Sequence, residues 1–388
     1  MNKKNNIDKR KKIGIITLDG YKNYGNRLQA YAVKKILTNM NFNVKFIILK
    51  EDKKKINRFT YIKNKIIKLP HNFINYTKKI FIYFFNLTVF RKRKKLINKR
   101  IKKIKGFSLK YLPEDSYNDN FKELEEMSNN YDFFITGSDQ VWNPTLKHRA
   151  INKHYFYFLK FADINKRISF VSSFGVSNIP DEYINLYKKA LSEITNISVR
   201  EEAGKNIVKK LTNKDVPVLL DPTLLITKEH WLSISKEHQK KPKKYILTYF
   251  LGKLSNKDKN YIKNIAKEND LKIVNLCKIK NKHSYNTSPE EFIDYINSAK
   301  LVFTDSFHGA AFSILMKTPF VAFKRILENK KCMFSRIDNL LKKFHMENRY
   351  IKNIDKKNIF NIDFSEIENI LKKERKKGLD YLNKATKN

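Results

Sequence analysis

An α/β fold built on parallel sheets is the class this sequence predicts, and three observations carry the prediction. Short apolar runs suited to buried strands alternate with helical stretches from Ile13 to Phe323. The first of them form a strand–helix–strand unit, whose crossover calls for a parallel sheet covered by helices. A basic, polar stretch from Ser235 to Lys244, containing Pro242, then interrupts the alternation. Two α/β domains follow, residues 1–235 and 245–345, with a basic and aromatic insertion over about 51–120 and a helical tail over 346–388.

In order along the chain, Ile13 to Leu18 is a strand, Asp19 to Asn26 a loop, and Arg27 to Met40 a helix with Leu28, Ala32 and Ile36 on one face. Val44 to Leu49 is the next strand. The glycines at 14, 20 and 25 miss the dinucleotide fingerprint, and no Lys-Ser/Thr phosphate loop occurs. Asn26 and Arg27 stand at the helix start, either as donors to an anion or as part of a plain turn. The insertion carries KIFIYFFNLTVF (Lys79 to Phe90), then an almost unbroken run of Lys and Arg from Arg91 to Lys105. Its apolar part is too short to cross a bilayer. Residues 75–105 either rest in an acidic headgroup layer or pack as helices on the main domain with a solvated basic face.

Tyr131 to Thr136 reads as a buried strand, followed by Gly137, Ser138, Asp139 and Gln140 as a ligand-facing loop. Trp142, before Asn143-Pro144, is a sugar platform or a structural anchor. Arg167 to Ser173 and Ile194 to Val199 are strands, and the second ends at Arg200, where Glu201 and Glu202 suit the positive end of a helix. Val216 to Leu220 is another strand. Asp221, before Pro222, is either a base or a turn residue.

Beyond the linker, Tyr245 to Leu251, Leu271 to Leu276, Leu301 to Thr304 and Phe320 to Phe323 read as strands between helices. One helix opens with Ser288-Pro289-Glu290-Glu291, a capping box with proline at its first position. The densest polar cluster lies between the last two strands, where Asp305, Ser306, His308 and Gly309 share one turn. His308 is therefore a site residue at the carboxyl edge of a parallel sheet, or a packing and capping histidine. From Ser365 onward the chain is a charged amphipathic helix.

Composition narrows the function. Lys and Arg number 81 against 38 Asp and Glu, a formal net charge of +43. That balance suits an anionic substrate, acidic lipid or nucleic acid. Because Lys, Asn and Ile are heavy in every segment, only clustered charge is informative. Cys277 and Cys332 form neither a disulfide framework nor a metal-type spacing, and no metal site is expected. With no signal peptide or spanning segment in view, a cytosolic protein is expected.

These loops together resemble the polysaccharide pyruvyl transferase family. The matching pieces are YKNYGNRLQAYAV (Tyr21 to Val33), DFFITGSDQVWNP (Asp132 to Pro144), ISVREEAG (Ile197 to Gly204), LLDPTLL (Leu219 to Leu225) and DSFHGAAFSILMKTPFVAF (Asp305 to Phe323). SRIDNLL (Ser335 to Leu341) is similar to the family's C-terminal arginine box. The resemblance covers most of the chain except the insertion and the last helix. It implies two Rossmann-like domains facing a cleft, as in glycosyltransferases of the B architecture. It also implies transfer of pyruvate from phosphoenolpyruvate onto two hydroxyls of a saccharide as a ketal, in cell-surface polysaccharide biosynthesis, without a cofactor. In some branches an arginine stands between the serine and the histidine of the late turn. Phe307 occupies that region here, so a cation for the donor must come from elsewhere.

A small, multiply charged donor needs fixed cations and helix N-termini. Arg200, Arg336, Arg27 and Lys324 are the candidate cations, and Asn26, Gly137, Ser138, Gln140, Trp142, Ser306 and Gly309 complete the candidate binding set. Ketal formation protonates the methylene carbon and takes protons from hydroxyls, so it needs an acid and a base, each contributing roughly 10²–10⁴-fold. His308 is the candidate acid, or a phosphate holder as imidazolium. Asp221 or Asp139 is the candidate base. The expected acceptor is a saccharide, with a lipid-linked one at the inner leaflet as an option, and no specific nucleic acid is expected. Two rival readings stand beside this one: a sugar-nucleotide glycosyltransferase of the same architecture, and a non-catalytic polyanion- or membrane-binding protein.

Overall fold

A computed structural model describes residues 10–21, 23–50, 73–145, 152–325 and 335–387, with backbone alone for 73–90, 152–154 and 335. The polar start of the chain, the first part of the insertion and Cys332 lie outside the described residues.

The first sheet holds β1 (Lys12–Ile16), β2 (Asn43–Leu49), β3 (Glu114–Tyr117), β4 (Phe133–Thr136), β5 (Arg167–Ser172) and β6 (Asn196–Val199), in the order β3-β2-β1-β4-β5-β6. The second holds β7 (Tyr245–Tyr249), β8 (Lys272–Asn275), β9 (Leu301–Thr304) and β10 (Phe320–Ala322), in the order β10-β9-β7-β8. Every pairing is parallel. The residue types explain why: β4 (FFIT) and β7 (YILTY) are buried along their whole length, as strands covered on both faces must be. In each sheet the strand order reverses once, between β1 and β4 and between β7 and β9. At such a reversal the carboxyl ends of the strands leave a crevice.

Two strand assignments differ from expectation. Val216 to Leu220 forms only a one-residue bridge, Val218 to Val199. Pro217 has no N–H to donate, which stops the ladder from extending. Conversely β3, with the polar sequence EDSY, pairs at the sheet edge without any apolar alternation to announce it. The first helix, Tyr24–Asn39, also begins earlier than its apolar face suggests, because the Asn23 side chain accepts from Gly25 N at 2.9 Å and caps it.

The two domains meet through aromatic side chains. Tyr24 stacks on Phe292 with ring centroids 4.9 Å apart and lies 5.8 Å from Tyr249, whose hydroxyl donates to Asn23 Oδ1 at 3.1 Å. Burying a side chain of this size stabilises by roughly 1.5–3 kcal/mol. The insertion helix, Phe73–Tyr111, adds a polar tie. Arg100 Nη1 donates to Leu276 O at 2.5 Å and Tyr285 O at 3.2 Å, while its guanidinium lies over the Tyr24 and Tyr285 rings. Lys103 pairs with Glu291 at 2.9 Å. The C-terminal helix, Ile367–Ala385, returns to the first domain: Tyr381 donates to Ser169 O at 2.8 Å, and Gly378 lies against Leu225. Among the described residues no helix is long and apolar enough to cross a membrane.

Candidate active site

β6 ends at Val199, and the next residue, Arg200, is buried at the carboxyl edge of the first sheet. Asp221 caps the short helix Pro222–Leu225. Its Oδ1 accepts from Thr223 N at 3.0 Å and Thr223 Oγ1 at 2.7 Å. That leaves Oδ2 for the crevice, 2.8 Å from Arg200 Nη2 and 3.7 Å from His308 Nε2. Oδ1 thus has the turn role that the sequence offered for Asp221, and Oδ2 faces Arg200 and His308.

His308 comes from the other domain, in the first turn of helix Phe307–Met316, which Ser306 caps by accepting from Gly309 N at 3.4 Å. Its imidazole rests directly on the first helix of the N-terminal domain. A Cβ on Gly25 would lie 2.1 Å from His308 Nδ1, so only glycine admits the ring there. The first glycine loop and the late histidine turn thus converge, although 283 residues separate Gly25 from His308 (308 − 25).

The electrostatics of this cluster are unusual in what is left unpaired. Arg200 Nε, Nη1 and Nη2 are all buried without a hydrogen-bond acceptor, and Asp221 Oδ2 and His308 Nε2 are buried without a hydrogen-bond partner. The close Arg200–Asp221 approach is thus an attraction of charges whose angle does not make a hydrogen bond. Phe307 covers the other side, with the Arg200 guanidinium 5.1 Å from its ring centre. Burial pushes the His308 imidazole down to about 4, with Arg200 adding to the effect and Asp221 opposing it. The ring is therefore neutral at neutral pH.

Arg336 opens the helix Ser335–Lys343 at the mouth, partly exposed. Desolvation, and then the charge of Arg200, lower it to about 10. Arg200, Asp221, Phe307 and Arg336 line one cavity of about 310 Å³ with Asn339 and Lys343. A larger depression of about 890 Å³ lies around Glu125, Lys160 and Arg167. Arg167 begins β5, so that hollow sits at the amino edge of the sheet, where ligands of parallel sheets do not bind.

Asp139 Oδ2 accepts from Asn26 Nδ2 at 2.9 Å, and Oδ1 from Gln140 N at 2.8 Å. Desolvation raises its pKa, but Arg200, His308, Arg336 and the Asn26 bond outweigh that and hold it near about 2. So acidic a carboxyl is a weak proton acceptor. Arg27 is a correction. Its Nε and Nη2 donate to Asn26 Oδ1 at 2.9 and 2.6 Å, Nη2 also bonds Leu18 O, and the side chain is 1% exposed. It turns Asn26 toward Asp139 instead of meeting a ligand.

Trp142 is a second correction. It is fully buried, 5.5 Å from Phe158 and 5.2 Å from Phe174, and donates Nε1 to Tyr157 O. With no face open to solvent it is an anchor, not a sugar platform. Ser138 is likewise turned inward, its N and Oγ donating to Gln29 Oε1. Gly137 packs on the Phe170 carbonyl with φ +129. Gln140 is buried with Nε2 unpartnered, and Lys324 is exposed and not among the residues lining the cavity. Asp305 ties β7 to β9 by accepting from Leu251 N and Gly252 N, both at 2.7 Å.

Three participants escape a reading of the sequence. Glu201 was legible only as a helix-opening acid, yet its Oε1 accepts from Ser173 Oγ, Phe174 N and Gly175 N, and its Oε2 is buried without a partner. Arg325, whose Nη2 donates to Asp305 O at 3.0 Å, and Gly25 carried no signal beyond their neighbours' motifs. Among the described residues no group of His, Cys, Asp and Glu could hold a metal ion.

A family model described as polysaccharide pyruvyl transferase matches residues 23–325. Among solved structures, UDP-GlcNAc 2-epimerase from Methanocaldococcus jannaschii is similar over 94% of this chain and 92% of its own, at 13% identity and TM-score 0.45. Arabidopsis thaliana UGT89C1, complexed with UDP-L-rhamnose, is similar over 97% and 99%, at 8% identity and TM-score 0.47. No curated protein matches the sequence.

Proposed function

The chain belongs to the polysaccharide pyruvyl transferase family, and from that premise we propose that its crevice binds phosphoenolpyruvate and transfers the pyruvyl group to a saccharide as a ketal. The observation that carries the reading is the buried Arg200, whose three nitrogens lack hydrogen-bond acceptors and whose counter-charge is Asp221 Oδ2, itself 3.7 Å from His308 Nε2. Such donors fit the carboxylate and phosphate of a small anion, for which charge-assisted bonds are strong. Arg336 supplies a second cation from the mouth.

In the proposed reaction the methylene carbon gains a proton, and a saccharide hydroxyl adds to the resulting cationic carbon. A second hydroxyl then displaces phosphate from that carbon. Two C–O bonds to the saccharide form and one C–O bond to phosphate breaks. Of the two hydroxyl protons released, one balances the new methyl group and the other leaves with phosphate. Asp221 Oδ2 takes a hydroxyl proton. His308, neutral in the free protein, becomes protonated when the donor's negative charge settles beside it, and so serves as acid only in the complex.

Incubation with phosphoenolpyruvate and candidate saccharides, free and lipid-linked, tests the proposal. Phosphate release matched by a pyruvyl ketal on the saccharide is expected, with His308→Asn slower by about 10²–10⁴-fold. Stabilisation by nucleoside diphosphates but not by phosphoenolpyruvate would instead support a sugar-nucleotide glycosyltransferase.

A further inference from the structure

The insertion helix has two faces of opposite character. Arg100, Ile104 and Phe107 are buried against the protein. Turned away from them, Arg91, Lys95, Asn98, Lys102, Lys105 and Leu109 follow one another at helical spacings of three and four, and all are exposed. Lys94 and Lys99 flank the stripe and are exposed too. Leu109, an exposed leucine at 73%, lies at its end.

What separates this stripe from ordinary surface lysine is the lack of any acid on its own helix. No Asp or Glu occurs between Asp52 and Glu114, so the helix offers none of the i,i+4 ion pairs that neutralise a solvated face. Acids reach the helix from elsewhere, near its C-terminal end: Glu291 pairs with Lys103 on the protein-facing side, and Glu114 and Glu290 lie near Lys105 and Lys110, while Arg91 to Lys102 have none on their own helix. The same helix runs without interruption from Phe73 to Tyr111, and its sequence before Arg91 is uncharged and aromatic from Ile80 to Phe90.

We propose that this stripe docks the protein on the surface of an acidic phospholipid bilayer. A straight row of cations with no acid on its own helix matches a flat, negatively charged plane. Each basic residue brought to such a surface adds favourable energy, and the effect dies away within a Debye length. The adjoining uncharged turns suit the headgroup boundary, being too short to span the bilayer. No exposed Phe, Tyr or Trp lies between Arg91 and Tyr111, so this stretch offers no stacking platform for single-stranded nucleic acid, and duplex RNA is left as an arm of the test. The docking is independent of the phosphoenolpyruvate chemistry.

Co-sedimentation of the full chain with phosphatidylglycerol/phosphatidylcholine vesicles at physiological salt tests it. Binding is expected to the acidic vesicles and not to pure phosphatidylcholine, with loss on raising salt. Combining Lys94→Gln, Lys95→Gln, Lys99→Gln and Lys102→Gln should lower partition roughly 10²–10³-fold, from the per-residue contribution. All four side chains are exposed, so the melting temperature should stay where it is. Unchanged partition of the combined variant, equal binding to neutral vesicles, or tighter binding to duplex RNA than to acidic vesicles would each overturn the proposal.

Discussion

Arg100 and Arg200 are both buried, 6% and 4% exposed, yet burial serves them in opposite ways. Arg100, in the seam between the domains, gives its Nη1 to two backbone carbonyls and lies over two tyrosine rings. Arg200, in the crevice, has a carboxylate at 2.8 Å and an aromatic ring beside it, but no acceptor in hydrogen-bonding geometry for any of its nitrogens. A buried donor left unsatisfied costs about 1–3 kcal/mol, and more when charged. The seam is therefore built for stability. In the crevice the Asp221 counter-charge at 2.8 Å offsets part of that cost but leaves the guanidinium donors without acceptors, as the proposed anion site requires. Arg27 falls on the seam's side of this division despite lying near the crevice, because Asn26 and Leu18 occupy its donors.

The contrast can be broken by substitution. Arg200→Met should lower kcat/KM for phosphoenolpyruvate by about 10²–10³-fold, the usual effect of removing a preorganised donor to developing charge. Removing Arg200 alone strands the buried Asp221 carboxylate without its counter-charge and should lower the melting temperature, so stability is read on the combined Arg200→Met/Asp221→Asn variant, which should melt near the unaltered protein. A large drop in the melting temperature of that combined variant would place Arg200 with the structural arginines. Gly25→Ala comes next. The added methyl group must displace the His308 ring, and a shift of about 1 Å can cost as much as about 10²-fold in turnover. A crystal structure of that variant with an unmoved imidazole would contradict the assigned contact.

Arg100→Met should behave in reverse. Losing charged hydrogen bonds to two carbonyls is expected to cost about 1.5–3 kcal/mol in urea unfolding, with kcat changed much less than by Arg200→Met. Last and smallest is a pH effect. The folded His308 sits at about 4 and its unfolded counterpart at 6.5, so the unfolded chain holds more protons between these values. Stability should therefore rise with pH across that window, be complete above 6.5 and be lost toward 4. Urea midpoints of the protein and His308→Asn across pH 4–7 check this, and an equal slope in both would remove His308 as the cause.

Much of the crevice was legible because its residues sit at strand ends, and strand ends can be read from short apolar runs followed by polar turns. Arg200 after ISV and His308 after LVFT are of this kind. Side-chain direction was not legible. Trp142 and Arg27 lie within a few residues of genuine crevice groups, but their rings and donors turn into the core, which spacing along the chain does not reveal. Nor could sequence say that Arg100, in the middle of a basic run, points inward while Lys99 and Lys102 point out. The helical period divides the run into faces, but only the partner at Leu276 and Tyr285 decides which face is covered. The strand β3 was missed because a polar edge strand has no apolar alternation, and Val216 to Leu220 was over-read because Pro217 stops the ladder that its apolar residues suggest.

The account rests on the crevice holding the donor's negative charge beside Arg200 and a neutral His308. Calorimetric titration with phosphoenolpyruvate near pH 6, in two buffers of different ionisation enthalpy, measures affinity and proton uptake together. The protein and Arg100→Met should both bind with net uptake of a proton, and Arg200→Met should show neither binding nor uptake. Binding of equal strength in Arg200→Met, or binding without uptake in the unaltered protein, would contradict the account.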